Sequence, residues 1–219
     1  MKPITLSPLA TLVAKPQDVT NRKNVTPFGV CVHTTGRGVP TLAKKLGISP
    51  EEVAAGVYTK PGANFPHYFI SYSGDIFQVA DEVERARHAG IAPEQRPLYI
   101  SGAWTRRVSA VGLRLWRARW PGKKNPLQLF PGKSVNEAYL GVELIPLLVR
   151  QPTGWLFTQD QYWALEDLLV DIEQRHSIVL TGSRLVGHED LEPLERWNSK
   201  GGWDPGALNL SPTFYWTRR

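Results

Sequence analysis

The sequence is poor in cysteine, in histidine and in long apolar runs, and each shortage removes a class of protein. Its 219 residues include a single cysteine, Cys31, so neither an intramolecular disulfide framework nor a cysteine-rich zinc site can form. A resident metal would have to be held by histidine and carboxylate. No run of about 18 uncharged apolar residues occurs, which excludes a helical membrane span within the chain. Near the start, the apolar run Leu9 to Ala14 is interrupted by Thr11 and is too short for a signal-peptide core. The expectation is a protein made in the cytoplasm without a Sec-type signal.

What is present suits one globular domain. The hydrophobic fraction is 42%, near the average for soluble proteins, and the length is enough to bury a substantial core. The formal net charge is +6, which points to an anionic partner. Nucleic acid, a membrane surface and the bacterial cell wall all qualify, and charge alone does not choose among them.

Hydrophobic patterning predicts an α/β domain with a central mixed sheet flanked by helices. Phe28 to His33 reads as a short buried strand that runs into the glycine-bearing loop Thr34 to Gly38. Ser49-Pro50-Glu51-Glu52 has the marks of a helix start: a capping serine, proline at the first position and acids in the first turn. His67 to Tyr72 and Asp75 to Val79 are β-rich runs joined around Ser73-Gly74, a hairpin signal. Another strand is expected within Ala138 to Pro146, carrying one carboxylate in Gly141-Val142-Glu143-Leu144-Ile145. Thr158 to His176 is the clearest helix, with Thr158 and Gln161 as a capping box and Leu165, Leu168, Leu169 and Ile172 as its apolar stripe. Residues 1–25, rich in Pro, Asn and Lys, read as an N-terminal extension over the surface.

Residues 91–137 read as an inserted, loop-rich segment. Between 101 and 135 it carries Arg106, Arg107, Arg114, Arg117, Arg119, Lys123, Lys124 and Lys133 without an acid, interleaved with Trp104, Trp116 and Trp120. Aromatics between arginines suit stacking on bases, but no recognised nucleic-acid motif accompanies them. The favoured reading is a groove wall that attracts an anionic polymer, against a solvated basic loop whose tryptophans pack on the domain.

Three residues stand at positions suited to a metal. His33 ends a buried strand, His188 lies in Val186-Gly187-His188-Glu189-Asp190, and Asp204 lies in Gly201-Gly202-Trp203-Asp204-Pro205-Gly206. Two imidazoles and a carboxylate match a catalytic zinc, which takes three protein ligands and leaves the fourth position to water. Each of them taken alone reads more readily as a structural hydrogen-bonding side chain than as a ligand. Asp190 competes with Asp204, although two residues beyond His188 it would need a sharp turn. Glu143 has two readings, an edge-strand residue facing water or a general base tuned by a partly apolar cleft.

The order of these motifs resembles the N-acetylmuramoyl-L-alanine amidase family, which includes phage lysozyme-type amidases and peptidoglycan recognition proteins. The resemblance runs over roughly residues 26 to 216: His33 after an apolar strand, the His67 hairpin, His88-Ala89-Gly90, the Gly-Val-Glu-Leu strand, a long amphipathic helix, Gly187-His188-Glu189-Asp190 and Trp203-Asp204-Pro205-Gly206. It implies zinc held by His33, His188 and Asp204, with Glu143 as catalytic carboxylate and His67 and His88 lining the substrate groove. His67 keeps an alternative reading as a buried hydrogen-bonding histidine. Cys31 does not fall at the third-ligand position, so the carboxylate version of the site is implied.

The chain also departs from the family pattern. Thr34 stands where many members have a second histidine, Pro66 where a catalytic tyrosine is common, and Gly202 where a lysine usually precedes the third ligand. The interval from His188 to Asp204 is longer than usual by several residues and contains Arg196 and Lys200. Lys200, Arg196 and His88 are therefore the candidates for stabilising an oxyanion, Lys200 being taken as a catalytic residue. The implied function is zinc-dependent hydrolysis of the bond between N-acetylmuramic acid and L-alanine in peptidoglycan. The alternative is a wall-binding module without turnover. The expected setting is the cell wall, reached after lysis, as an endolysin would be, or by dedicated export as an antibacterial effector. The expected partner is peptidoglycan rather than nucleic acid, with an inhibitor or immunity protein as a further candidate and a monomeric state.

Overall fold

In the computed structural model, the described residues are 6–13, 20–22, 26–91, 95–107, 113–114, 128, 134–151, 154–196, 204–206, 208–211 and 214. Lys200, Trp203 and most of the basic segment, including Arg117, Arg119, Lys123, Lys124, Lys133, Trp116 and Trp120, lie outside them, as does most of the N-terminal extension. The strands are β1 (Thr11–Leu12), β2 (Thr20–Asn21), β3 (Gly29–Thr34), β4 (Tyr68–Ile70), β5 (Ile76–Gln78), β6 (Glu84–Arg85), β7 (Tyr139–Leu144), β8 (Arg150–Gln151), β9 (Gly154–Trp155) and β10 (Leu185–Gly187). Six of them form one sheet in the order β1-β5-β4-β7-β3-β10. β4, β7, β3 and β10 run parallel, and β5 joins β4 antiparallel through the predicted hairpin, so the sheet is mixed. The N-terminal stretch does more than cover the surface: Thr11 and Leu12 add the parallel edge strand beside β5.

The register of the central strands decides which side chains share a face. β3 pairs with β7 so that Cys31 is opposite Gly141, Val32 opposite Val142 and His33 opposite Glu143. Side chains alternate along a strand, so these pairs divide the sheet cleanly. Val30, Val32, Leu140, Val142, Leu144, Tyr68 and Ile70 face one side, where they form a core with Leu165, Leu168, Leu169 and Ile172. Those four leucine and isoleucine side chains are wholly buried, and each contributes about 1.5–3 kcal/mol through apolar burial. They belong to the long helix Gln159–His176, which begins as expected. The Thr158 side chain accepts from Gln161 N–H at 3.1 Å, and Gln161 Oε1 accepts from Thr158 N–H at 3.0 Å. Gln161 then donates to the carbonyls of Ile70 and Ile145, at 3.2 and 2.8 Å, which fastens the helix start to the ends of β4 and β7.

The opposite face carries Cys31, His33, Gly141 and Glu143. Two helices cover part of it: α1 (Gly38–Leu46) and α2 (Pro50–Tyr58). α2 begins at the predicted cap, Ser49 accepting from Glu52 N–H, with Glu52 returning to Ser49 N–H at 2.9 Å. α1 was not expected, because the sequence reads as loop from Thr34 to Gly38. Arg37 precedes it without a side-chain cap and no acid stands in its first turn, so most of the usual start signals are missing. Packing supplies the reason it forms: Val39 and Ala43 are buried against Val53, Ala54 and Phe69.

A buried charge cluster ties the end of the long helix to the rest of the domain. Glu82, wholly buried, accepts from Tyr68 Oη at 2.6 Å, from the Arg175 guanidinium and from His176 Nε2 at 2.7 Å. Burial alone would raise the Glu82 pKa, but bonds from His176 and Arg175 outweigh it and hold the carboxyl down at about 2. The folded pKa thus lies below the ordinary value near 4.5. The stability this gives is fully present above about pH 4.5 and is lost as pH falls toward 2. Glu82→Gln is expected to destabilise by roughly 1–3 kcal/mol at neutral pH, since it removes one of the two carboxylates that hold Arg175, the other being Asp171. Urea unfolding from pH 7 to 2 should show the two proteins converging at the acid end. Parallel curves would mean that Glu82 is not charged in the fold.

Candidate active site

Sheet alternation places His33 and Glu143 side by side on the face opposite the long helix, at the C-terminal ends of β3 and β7. β10 runs parallel to β3 and ends at Gly187, so the residue that follows emerges at the same edge. That residue is His188, which opens the helical turn His188–Leu191 instead of a loop. Asp190, the competing third ligand, caps this turn: its Oδ2 accepts from Gly187 N–H at 2.7 Å. Asp204 reaches the same place from the far end of the chain. Its Oδ1 accepts from Thr34 N–H at 2.6 Å, and its own N–H donates to Glu189 Oε2 at 3.1 Å.

Three donor atoms meet there. His33 Nδ1 lies 3.1 Å from His188 Nδ1 and 3.8 Å from Asp204 Oδ2, and His188 Nδ1 is 3.0 Å from the same oxygen. Ligand bonds of about 2.0–2.2 Å in a tetrahedral zinc site put neighbouring donors roughly 3.3–3.6 Å apart. The observed spacings bracket that value. The donor types also suit zinc, and the far nitrogen of His188 lies 3.3 Å from Glu192 Oε2, a carboxylate behind a prospective ligand.

A second group of donors, Cys31, His33 and His88, is also close enough to hold a metal. It fits less well. Burial, with Asp204, Asp190 and Glu189 nearby, pushes the Cys31 thiol well above its usual range, which disfavours the thiolate. The nitrogens of His33 and His88 that face each other are already hydrogen-bonded at 2.9 Å. Cys31 does not line the cleft described next.

The cleft has a volume of about 470 Å³. His33, His188, Asp204, Glu143 and Arg196 line its polar end, and Val39, Leu42, Val53 and Val57 from α1 and α2 form an apolar wall. Burial and the Asp204 charge raise the Glu143 pKa to about 7, while a hydrogen bond from Tyr58 Oη at 3.0 Å opposes them. Burial lowers the His33 pKa to about 4, leaving its ring neutral. For His188, the bond to Asp204 and the nearby Glu192 carboxylate outweigh burial and raise it. The bond from His188 likewise outweighs burial at Asp204 and holds its carboxylate far below the usual range. The site thus pairs an anionic carboxylate with neutral imidazole beside an acid that ionises near neutrality.

The profile of the N-acetylmuramoyl-L-alanine amidase family matches residues 23–207. The chain belongs to that family. No curated protein matches it significantly. Among solved structures, it is similar to AmpD in a selenomethionine derivative, with 20% identity, a TM-score of 0.46 and 90% of each chain covered. It is also similar to an endolysin of a Thermus scotoductus bacteriophage, with 12% identity, a TM-score of 0.45, and 91% of this chain and 94% of that one covered. For Drosophila PGRP-LB the identity is 13% and the TM-score 0.41, with 88% and 89% covered.

In this amidase-family chain the residues expected to line the groove are not equivalent. His67 is wholly buried, its Nδ1 accepting from Gly141 N–H at 2.9 Å and its Nε2 3.0 Å from the Glu84 carbonyl. That is the structural alternative considered for it, and it does not line the cleft. His88 reaches the cleft but uses both nitrogens on the protein, at His33 and at the Tyr139 carbonyl. Arg196 stands at the cleft, with Nη1 3.5 Å from Asp204 Oδ2. Tyr58, Glu189 and Glu192 were not foreseen. Glu192 had a readable signal, an i,i+4 step from His188, but only once His188 is known to start a helical turn. No sequence spacing connects Tyr58 with Glu143, 85 residues away.

The fit of the donor set to zinc makes a direct expectation. Zinc at about 100 times its dissociation constant should raise the melting temperature of the metal-free protein by roughly 5–10 °C. His33→Ala and His188→Ala should lose most of that shift. An unchanged shift in both variants would locate the cation elsewhere.

Proposed function

We propose that the chain is a zinc-dependent amidase that hydrolyses the bond between N-acetylmuramic acid and L-alanine in peptidoglycan. The observation that carries this reading is the convergence of His33 Nδ1, His188 Nδ1 and Asp204 Oδ2 at the end of a cleft that Glu143 also lines. In this reading those three residues hold the zinc. When bound, zinc supplies a Lewis acid that polarises the amide carbonyl and makes water nucleophilic near neutral pH.

The remaining steps belong to the chain's own side chains. Glu143 takes a proton as water adds to the amide carbon. It returns that proton to the nitrogen of L-alanine as the carbon–nitrogen bond breaks. A carboxylate that ionises near neutrality suits both halves, since it is basic enough to accept and acidic enough to donate. Tyr58 holds Glu143 Oε2 and so fixes the direction in which the other oxygen presents itself. Among the described cleft residues Arg196 is the lysine or arginine available to stabilise negative charge on the carbonyl oxygen. Lys200 stays a candidate for the same role. His88 is set aside for it, because both of its nitrogens are engaged by the protein.

The test is digestion of purified peptidoglycan followed by mass spectrometry. The expected products are stem peptides with a free L-alanine amine and glycan strands with intact lactyl groups. Binding to sacculi without release of peptides would favour a recognition module instead. Glu143→Gln should retain zinc and fold while kcat falls by ~10²–10⁴, the usual worth of a general base. Near-full activity would remove Glu143 from that role. Tyr58→Phe removes a donor that favours the ionised carboxyl, so the acid limb of the kcat/KM profile should move to higher pH. An unmoved limb would mean that this hydroxyl does not tune the base.

A further inference from the structure

Four imidazoles stand in a row across the sheet face: His67, His88, His33 and His188, with ring centroids 5.9, 5.0 and 4.6 Å apart. His88 is 7% exposed and sits between the strand backbone and His33. Its Nε2 lies 3.2 Å from the Tyr139 carbonyl oxygen, and its Nδ1 lies 2.9 Å from His33 Nε2. The direction of both bonds follows from elementary chemistry. A carbonyl oxygen only accepts, so His88 Nε2 carries the hydrogen. A neutral imidazole has one N–H, so His88 Nδ1 offers a lone pair. His33 must then donate from Nε2. The His88 ring is buried with one nitrogen on a carbonyl and the other on a second imidazole, surroundings that suit a neutral ring.

We propose that His88 is a positioning residue that transmits the polarity of the Tyr139 carbonyl to His33, holding that ring as the Nε2–H tautomer with Nδ1 bare toward His188 and Asp204. The purpose assigned to this relay rests on the reading of His33 as a metal ligand. The relay has an opponent. Asp204 is anionic and its Oδ2 lies 3.8 Å from His33 Nδ1, so it draws the ring proton toward that nitrogen, where a proton would block coordination. Without an acceptor behind it, a buried Nε2–H would also be left unpaired. His88 removes both reasons for the proton to move.

The surroundings are built around this contact. The Tyr139 carbonyl also accepts from Arg22 Nη2, so its oxygen is held by a second donor. Gly141 lies directly over the His88 ring: a Cβ there would sit 2.4 Å from His88 Cγ. Only glycine at 141 leaves room for the imidazole to pass between the strand and His33.

The test uses full-length metal-free protein labelled with ¹⁵N-histidine, at neutral pH, with His33 signals assigned by their loss in His33→Ala. Long-range ¹H–¹⁵N spectra of the wild type should show His33 Nδ1 unprotonated. His88→Leu should move the proton to Nδ1 and weaken zinc binding by roughly 10–100-fold in chelator competition. His88→Gln, which can accept from His33 and donate to the carbonyl, should restore both. A wild-type His33 protonated on Nδ1 overturns the proposal, and this measurement needs no variant to fold. An unchanged tautomer in folded His88→Leu overturns it as well. Full zinc affinity in His33→Ala would instead overturn the ligand reading, while the tautomer measurement would still decide the relay.

Discussion

The parallel pairing of β3 with β7 is the constraint on which the site depends. In that register His33 and Glu143 are neighbours across the ladder. A shift of one residue would turn one of them into the leucine-rich core on the other face. The register is secured from both sides. Val32, Val142 and Leu144 are locked beneath the long helix, and Cys31 and Gly141 leave no freedom on the upper face, where His88 fills the space above the glycine. His33 and Glu143 are thus held in relation by their apolar neighbours along the two strands, Val32, Val142 and Leu144, none of which lines the cleft.

Much of this was legible in the chain, for a physical reason. Period-two and period-3.6 patterns report burial, and Phe28 to His33, Glu143 with its neighbours, and Leu165 to Ile172 are buried by regular elements. The capping boxes at Ser49 and Thr158 are local chemistry and could be read residue by residue. α1 was missed because nothing local starts it, and only contact with α2 and Phe69 stabilises it. The meeting of Tyr58 with Glu143 was invisible for a similar reason: it depends on how α2 lies across the sheet. His67 and His88 look alike in sequence, each beside a hairpin or turn. Only their hydrogen bonds separate one that holds the Gly141 amide from one that braces His33.

The charges of the domain divide into two kinds of arrangement. Around Glu82, the side chains of Arg175, His176 and Tyr68 together satisfy one carboxylate, and the cluster serves cohesion. Around Asp204, cation and anion are unequal and the nitrogens of two rings face each other at 3.1 Å. The contrast between a closed network and an open one distinguishes the two ends of the sheet.

Asp204 shows a division of labour between two oxygens of one side chain. Oδ1 is spent on Thr34 N–H and fastens the late loop to the end of β3, while Oδ2 faces the two imidazoles. A thiolate presents a single donor atom and would have to relinquish one of these tasks. An amide would keep the clasp yet bring no negative charge. Carboxylate chemistry is therefore required here by architecture as much as by affinity: the residue that completes the donor set is also the latch that brings the last segment of the chain to it.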